Sequence, residues 1–221
     1  MRGLFLFVAV FVGTGLILSY VKAGSSASST LQDRTVVVKS MSELRNALKS
    51  AQKNNMNDVI CIQAGTYKVT QPLTYYTEDG DDGHNLTIKA LGGQVVLDGD
   101  SKTQIMIIDT DTDNNGKGDR GDVTIEGITF QKGLASKHGG GLYIKTGSAR
   151  ITLINNTFNA NQAHSGAGVY LYSYTGTIYI ANNVFYGNSA THYGGGVYAH
   201  LFSGIIRLIN NTFVSNNAFE Y

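Results

Sequence analysis

The sequence predicts an all-β fold: a single-stranded right-handed parallel β-helix, a solenoid closed at its start by a short α-helix. Three observations carry that reading. Phenylalanines recur every 27 or 28 residues in the second half of the chain. Apolar residues alternate with period two inside each repeat, which is strand spacing and not helix spacing. A helix-capping pattern stands before the first strand-like run.

The repeat comes first, because a fixed period decides how everything else is read. Phe130, Phe158, Phe185 and Phe213 are separated by 28, 27 and 28 residues. Before them stand the alternating sets Val123/Ile125/Ile128, Ile151/Leu153, Ile178/Ile180 and Ile206/Leu208. Asn155-Asn156, Asn182-Asn183 and Asn210-Asn211 precede the last three phenylalanines. Gly133, Asn161, Asn188 or Asn216 follows each Phe at a fixed offset. Glycine clusters come next, at Gly139-Gly140-Gly141, Gly166-Ala167-Gly168 and Gly194-Gly195-Gly196. Strand-like trios close the unit: Leu142-Tyr143-Ile144, Val169-Tyr170-Leu171 and Val197-Tyr198-Ala199.

No single repeat can bury its own apolar face. Stacked as coils about 4.8 Å apart, the repeats bury it together and align like residues in ladders. The Phe rings are expected to stack inside the core. The Asn pairs are expected at a strand end, with amides bonding from coil to coil. Leucine-rich repeats are the structural rival, but they lack this order of Asn pair, Phe and Gly cluster.

Upstream the same pattern is less regular. Residues 59–62, 86–88 and 95–97 read as strands of longer coils, and Gln63-Ala64-Gly65-Thr66-Tyr67 as a turn between strands. Ser40-Met41-Ser42-Glu43 is a capping box, with Ser40 as N-cap. Leu44, Ala47, Leu48 and Ala51 then share one helical face. A helix over residues 40–53 would cover the open end of the stack, where unpaired strand edges are otherwise exposed. At the other end the chain stops before the next Gly cluster, so a truncated chain, or a partner over the last coil, is expected.

Targeting and composition add bounds. Arg2, an apolar run over residues 4–18 and Val21-Lys22-Ala23 read as a cleaved signal peptide spanning residues 1–23. The run is short for a membrane span, so none is expected in the mature chain. Residues 24–35 read as a flexible leader and residues 36–221 as the β-helix, regular from residue 123. The chain is expected to be secreted or held at the cell surface. Net charge is only +1, without the basic stripe that nucleic-acid binding requires. Cys61 is the single cysteine, so no internal disulfide forms; its apolar flanks predict a buried thiol.

Two sets of motifs carry a family likeness. Phe158-x-x-Asn161 with Gly166-Ala167-Gly168-Val169-Tyr170, and Phe185-x-x-Asn188 with Gly194-Gly195-Gly196-Val197-Tyr198, resemble the FxxN and GGA[I/L/V] repeats of polymorphic outer membrane proteins. Asp58-Val59-Ile60 with Ala64-Gly65-Thr66-Tyr67, and Leu86-Thr87-Ile88 with Leu97-Asp98-Gly99, resemble bacterial β-helix repeat proteins of the pectin lyase-like superfamily. The likeness covers roughly residues 36–221 and implies the fold. That fold hosts lyases, hydrolases, adhesins and autotransporter passengers, so it does not choose among them. An autotransporter barrel and a sorting segment are not in the sequence.

Candidate chemistry is unevenly spread. From Val123 onward the acids are Glu126 and Glu220 alone. The regular coils therefore lack the paired carboxylates of a glycosidase and the acidic cluster of a calcium-assisted lyase. Two acidic loops precede them: Glu78-Asp79-Gly80-Asp81-Asp82-Gly83, and a run holding Asp109, Asp111, Asp113 and Asp119. The second resembles a calcium loop through its alternating Asp, although Asn114 and Arg120 depart from the EF-hand pattern. Ca²⁺ is thus the candidate cofactor of this loop, with a solvated polar loop as the other reading.

Tyr143, Tyr170 and Tyr198 should point outward and stack, with Lys145, Tyr172 and His200 two positions on along the same face. Such a strip suits a sugar ring or a protein surface. It also suits a ladder that merely steadies an exposed sheet, and the residues alone favour that plainer reading. His138, His164 and His192 should lie near one edge, where three imidazoles could hold a transition metal, although their offsets differ and plain surface histidines are the favoured reading. Lys89, Lys145, Arg150 and Arg207 read as solvated strand-end charges. Together these features predict a non-catalytic exported module that contacts a polysaccharide or a cell-surface protein. The alternative is a polysaccharide lyase or another pectin lyase-like carbohydrate-active enzyme, with its site in the irregular N-terminal coils or in a C-terminal part beyond this sequence; it needs acids and bases converging on one outer sheet.

Overall fold

The structure is a computed structural model that describes residues 33–77, 84–111 and 121–219. The signal segment, residues 24–32, the acidic loop 78–83, and Asp113 and Asp119 lie outside the described residues. Among the described residues the chain winds as a parallel β-solenoid of about 6 turns with one short helix. Every strand pairs in parallel with the strand one coil away.

Three sheets form the wall. The largest carries Val123–Glu126, Ile151–Ile154, Thr177–Ala181 and Ile205–Ile209 on one flank of Leu86–Asp98. On the other flank lie Ile128–Gln131, Thr157–Asn159, Val184–Tyr186 and Thr212–Val214. A second sheet stacks Leu73–Tyr76, Met106–Asp109, Leu142–Thr146, Val169–Ser173 and Val197–Leu201. The third is small: Gln162–Ser165, Ser189–Tyr193 and Asn217–Ala218.

The expected Phe ladder fills the core. Phe130, Phe158, Phe185 and Phe213 are in register. Their ring centroids are 5.1, 5.0 and 4.8 Å apart, nearly parallel. Each stacked pair adds about 0.5–1.5 kcal/mol beyond the area it buries. Phe213 closes the described stack and is 48% exposed, whereas Phe185 is fully enclosed. Ile206 and Leu208 of the last coil are exposed too, against the buried Ile178 and Ile180 one coil earlier.

The corners explain the Asn pairs. The first member, at Asn155, Asn182 and Asn210, sits in left-handed backbone with φ of 58°, 56° and 51°. Asn tolerates that region better than most residues. The second member turns inward and builds the ladder. Asn183 Nδ2 donates to the Leu153 carbonyl at 2.9 Å, and Asn183 Oδ1 accepts from the Asn156 N–H at 2.8 Å. A second amide ladder stands at the next corner, made by the Asn that follows each Phe. Asn161, Asn188 and Asn216 donate to the carbonyls of Phe130, Phe158 and Phe185 at 3.0, 2.9 and 2.8 Å.

The N-terminal end is covered as expected. The helix spans Met41–Ala51, with Leu44, Ala47, Leu48 and Ala51 buried. Ser40 Oγ accepts from the Glu43 N–H at 3.2 Å. The returning bond from Glu43 goes to the Lys39 N–H, one residue before the N-cap, at 2.8 Å. Arg34 knots this end together. Its guanidinium pairs with the buried Asp58 carboxylate, and it donates to Ser50 Oγ at 2.8 Å.

Two expectations need correction. Asp33, Arg34 and Thr35 are not leader; they open the strand Asp33–Val38, which pairs with Asn57–Lys68. The turn expected at residues 63–67 is a bend inside the continuous strand Asn57–Lys68, and residues 86–88 and 95–97 are halves of one strand, Leu86–Asp98. Gly92, with φ +77°, takes part of that second bend. Parallel pairing carries on past the corner with a shift between Gln63 and Gly65, so hydrogen bonding outlasts the change of direction.

Candidate functional site: an aromatic outer face

Alternation along the second sheet sets the face. Leu142, Ile144, Val169 and Leu171 are buried, which turns Tyr143 and Tyr170 outward, half-buried. Tyr143, Tyr170 and Tyr198 are in register and stack at centroid distances of 5.5 and 4.8 Å. Beside them Tyr172 stacks on His200 at 5.1 Å, and Tyr174 on Phe202 at 5.3 Å. The second and third rows continue the first because outward positions repeat every two residues. The Tyr174–Phe202 row went unread in the sequence, since it lies past the trio, where the repeat loosens.

Lys145 departs from its expected role as a solvated charge. It is 9% exposed and stands in the row of Tyr172, one coil before it. Its ammonium lies 3.5 Å from Asp109 Oδ1 and 3.2 Å from Asp111 Oδ2, and it donates to the Asp111 carbonyl. The acids come from the preceding coil, where Asp109 pairs in register with Lys145. Linear reading singled out these acids as a calcium loop but missed their pairing with Lys145, because the partners are distant in sequence and adjacent only after stacking. Burial raises the Asp109 carboxyl above its ordinary range, against the opposing pull of the Asp111 N–H and Lys145. Burial first, then the Asp109 carboxylate, holds the Tyr143 phenol far above its usual value.

The histidines divide. His164 and His192 stack at 3.8 Å, but His138 leaves them and lies on Tyr170 at 4.3 Å. Burial, then His164 and Lys137, lowers the His138 pKa below the ordinary imidazole value. The three therefore do not converge. No group of three or more His, Cys, Asp or Glu placed to hold a metal occurs among the described residues.

Asp109, Asp111, His138, Tyr143, Lys145, Tyr170, Tyr172 and Tyr174 line one open depression of about 320 Å³. Its lining combines aromatic rings with one ammonium that pairs with two carboxylates. Of the other tyrosines, Tyr193 leans toward Tyr198 at 6.3 Å, while Tyr179 and Tyr186 lie on the largest sheet. A larger cavity of about 690 Å³ lies beside the N-terminal helix, but Arg34 there is committed to Asp58. No described helix is long and apolar enough to cross a membrane.

Residues 76–220 match the family described as the right-handed beta helix region. No curated protein and no solved structure matches the chain. The family match spans most of the chain, including every regular coil and the aromatic face, and agrees with the parallel coils and ladders described above. This chain belongs to the right-handed beta helix family.

Proposed function

We propose that this chain is an exported, non-catalytic β-helix module that binds a polysaccharide through the outer face of Tyr143, Tyr170, Tyr198 and Tyr172. One observation carries the reading: parallel aromatic rings at coil spacing, beside an open depression edged with polar groups. Sugar rings present apolar C–H faces to such rings and hydroxyls to the edges. A contact protein of the cell surface would use the same face. The resemblance to outer membrane repeat proteins supports export and surface location, as does the predicted signal peptide.

Glycan-array binding tests the reading. Tyr143→Ser, Tyr170→Ser and Tyr198→Ser combined should abolish the signal while the far-UV spectrum stays that of a folded β protein. An unchanged signal rejects the face as the binding site.

A lyase is the second reading, and a specific observation favours it. Acids and a base do converge on this outer sheet, at Asp109, Asp111 and Lys145. Burial weighs against it: Asp111 is 1% exposed and Lys145 9%, and their charges already satisfy one another. Release of unsaturated uronides from pectate, followed by absorbance, would establish the lyase and overturn the non-catalytic reading.

Ca²⁺ on Asp109, Asp111, Asp113 and Asp119 belongs to the same proposal as a conditional ligand. The Lys145 ammonium occupies the place where the first two carboxylates meet. Millimolar Ca²⁺ is expected to give the parent little thermal shift, and to stabilise Lys145→Met, whose carboxylates lack their cation. No calorimetric heat with either protein removes calcium altogether.

A further inference from the structure

The cluster of Lys145, Asp109 and Asp111 holds an amine and two carboxyl groups in one small volume. Lys145, on Leu142–Thr146, pairs in register with Asp109, the last residue of Met106–Asp109 one coil earlier. Asp111 follows two positions on. The Lys145 Nζ lies 3.2 Å from Asp111 Oδ2 and 3.5 Å from Asp109 Oδ1. The same ammonium donates to the Asp111 main-chain carbonyl, which fixes it against that residue. Stacking thus joins groups that are 34 positions apart in sequence.

Burial sets this cluster apart from an ordinary surface pair. The Lys145 side chain is 11% exposed and that of Asp111 2%, whereas Lys68 and Lys102 beside Asp100 are 67% and 77% exposed. The Arg34–Asp58 pair is enclosed too, but a guanidinium keeps its proton and is no nucleophile. A lysine amine becomes one as soon as a proton leaves it. In water, condensation of an ammonium with a carboxylate is opposed by the hydration of both ions and by the separation of the reactants. Here the ions are already largely out of water, and a neutral amide would remove the cost of keeping them there. The fold also holds nitrogen and carboxyl in contact, which replaces an encounter between free molecules.

We propose that Lys145 and Asp111 join in an intramolecular isopeptide bond that staples two successive coils, with Asp109 relaying protons. The Asp109 carboxylate takes one proton from the Lys145 ammonium. The lone pair so freed attacks Asp111 Cγ, and a C–N bond forms. The bond from Cγ to Oδ2 then breaks. That oxygen leaves as water with two protons of the original ammonium, one of them passed on by Asp109. Ammonium and carboxylate have become amide and water, no other reactant is consumed, and Asp109 ends as it began. Asp111 is the acceptor because it is the nearer and more buried acid and its carbonyl holds the amine. The open depression over the cluster lets the water out. The bond closes a loop of 34 positions in a chain whose single cysteine permits no internal disulfide, and it restrains the unfolded chain as a disulfide would.

Tryptic mapping of the purified full chain tests this. Residues 103–117 should emerge joined to residues 138–150 as one branched peptide, uncut at Lys145 and lighter than its two halves by one water. Fragmentation should place the branch between Lys145 and Asp111. Lys145→Arg and Asp111→Ala should each give the peptides unjoined. Asp109→Asn keeps both bonding residues and should lower the joined fraction about tenfold or more at matched age, since it removes the proton relay. A far-UV spectrum of a folded β protein qualifies each variant. The parent by itself can overturn the inference: a folded chain that yields only the separate peptides carries no such bond. A branch on Asp109 or on another acid overturns it as well, and so does a folded Asp109→Asn variant joined as fully as the parent.

Discussion

Asn183 shows how much one residue type carries in this fold. Its Nδ2 donates to the carbonyls of Leu153 and Ala181 and to Asn211 Oδ1, and its Oδ1 accepts the Asn156 N–H. The side chain is buried, so water cannot replace those bonds. Asn183→Ala should leave the buried Asn156 N–H without this acceptor and the Leu153 carbonyl without this donor, while the Ala181 carbonyl keeps the Asn155 N–H, at a cost of roughly 3 kcal/mol. Urea unfolding measures it; a loss below about 1 kcal/mol would mean that the corner holds without its amide. Sequence spacing showed the Asn pairs and placed them at a strand end. It did not show that the two members do different work, one bending the backbone and one bonding between coils. That division depends on φ at Asn182, which the inward position of Asn183 requires.

At the scale of the element, the N-terminal cap combines a legible part with a hidden one. The buried face Leu44, Ala47, Leu48 and Ala51 follows from helical spacing and was readable in full. The strand Asp33–Val38 was not, because a parallel edge strand is defined by its partner and its first residues resemble a polar leader. Arg34 joins strand, helix and first full coil by its contacts to Asp58, Ser50 and the Ala47 carbonyl. Arg34→Leu should strand the Asp58 carboxylate in a buried place and destabilise the protein by roughly 3 kcal/mol. Hydrogen exchange should then quicken first in Asp33–Val38 and the helix; uniform quickening would argue that the cap is no separate unit.

At the scale of the whole molecule, each coil touches only its neighbours, and stability is close to a sum of rung-to-rung terms. The Asp109–Lys145 pair is one such term, and it is sensitive to pH. Burial lifts the Asp109 pKa above its ordinary 3.8 in the folded chain. The folded state therefore binds a proton more readily than the unfolded one. The stabilisation so gained is complete below the ordinary carboxylate range and disappears as pH rises through the lifted value. Asp58, lifted by burial against Arg34, contributes in the same sense. Asp109→Asn should flatten the decline of stability with rising pH just above pH 4, as read from denaturant unfolding at stepped pH. An unchanged slope would place the effect elsewhere, with Asp58 the next group to replace.

The sequence alone determined the period, the strands, the enclosed phenylalanines, the helical cap and the outward row Tyr143, Tyr170 and Tyr198. These follow from local alternation and from a repeat that superposes like on like. Only the tertiary structure decided which charges meet across coils: Lys145 with Asp109 and Asp111, and Arg34 with Asp58. It also decided that the His138 ring stacks on Tyr170, while His164 and His192 stack on each other. The physical reason is that side-chain alternation is set within a strand. Neighbours between coils depend instead on the register and loop length of every turn between them, and the irregular coils do not state these in their residues.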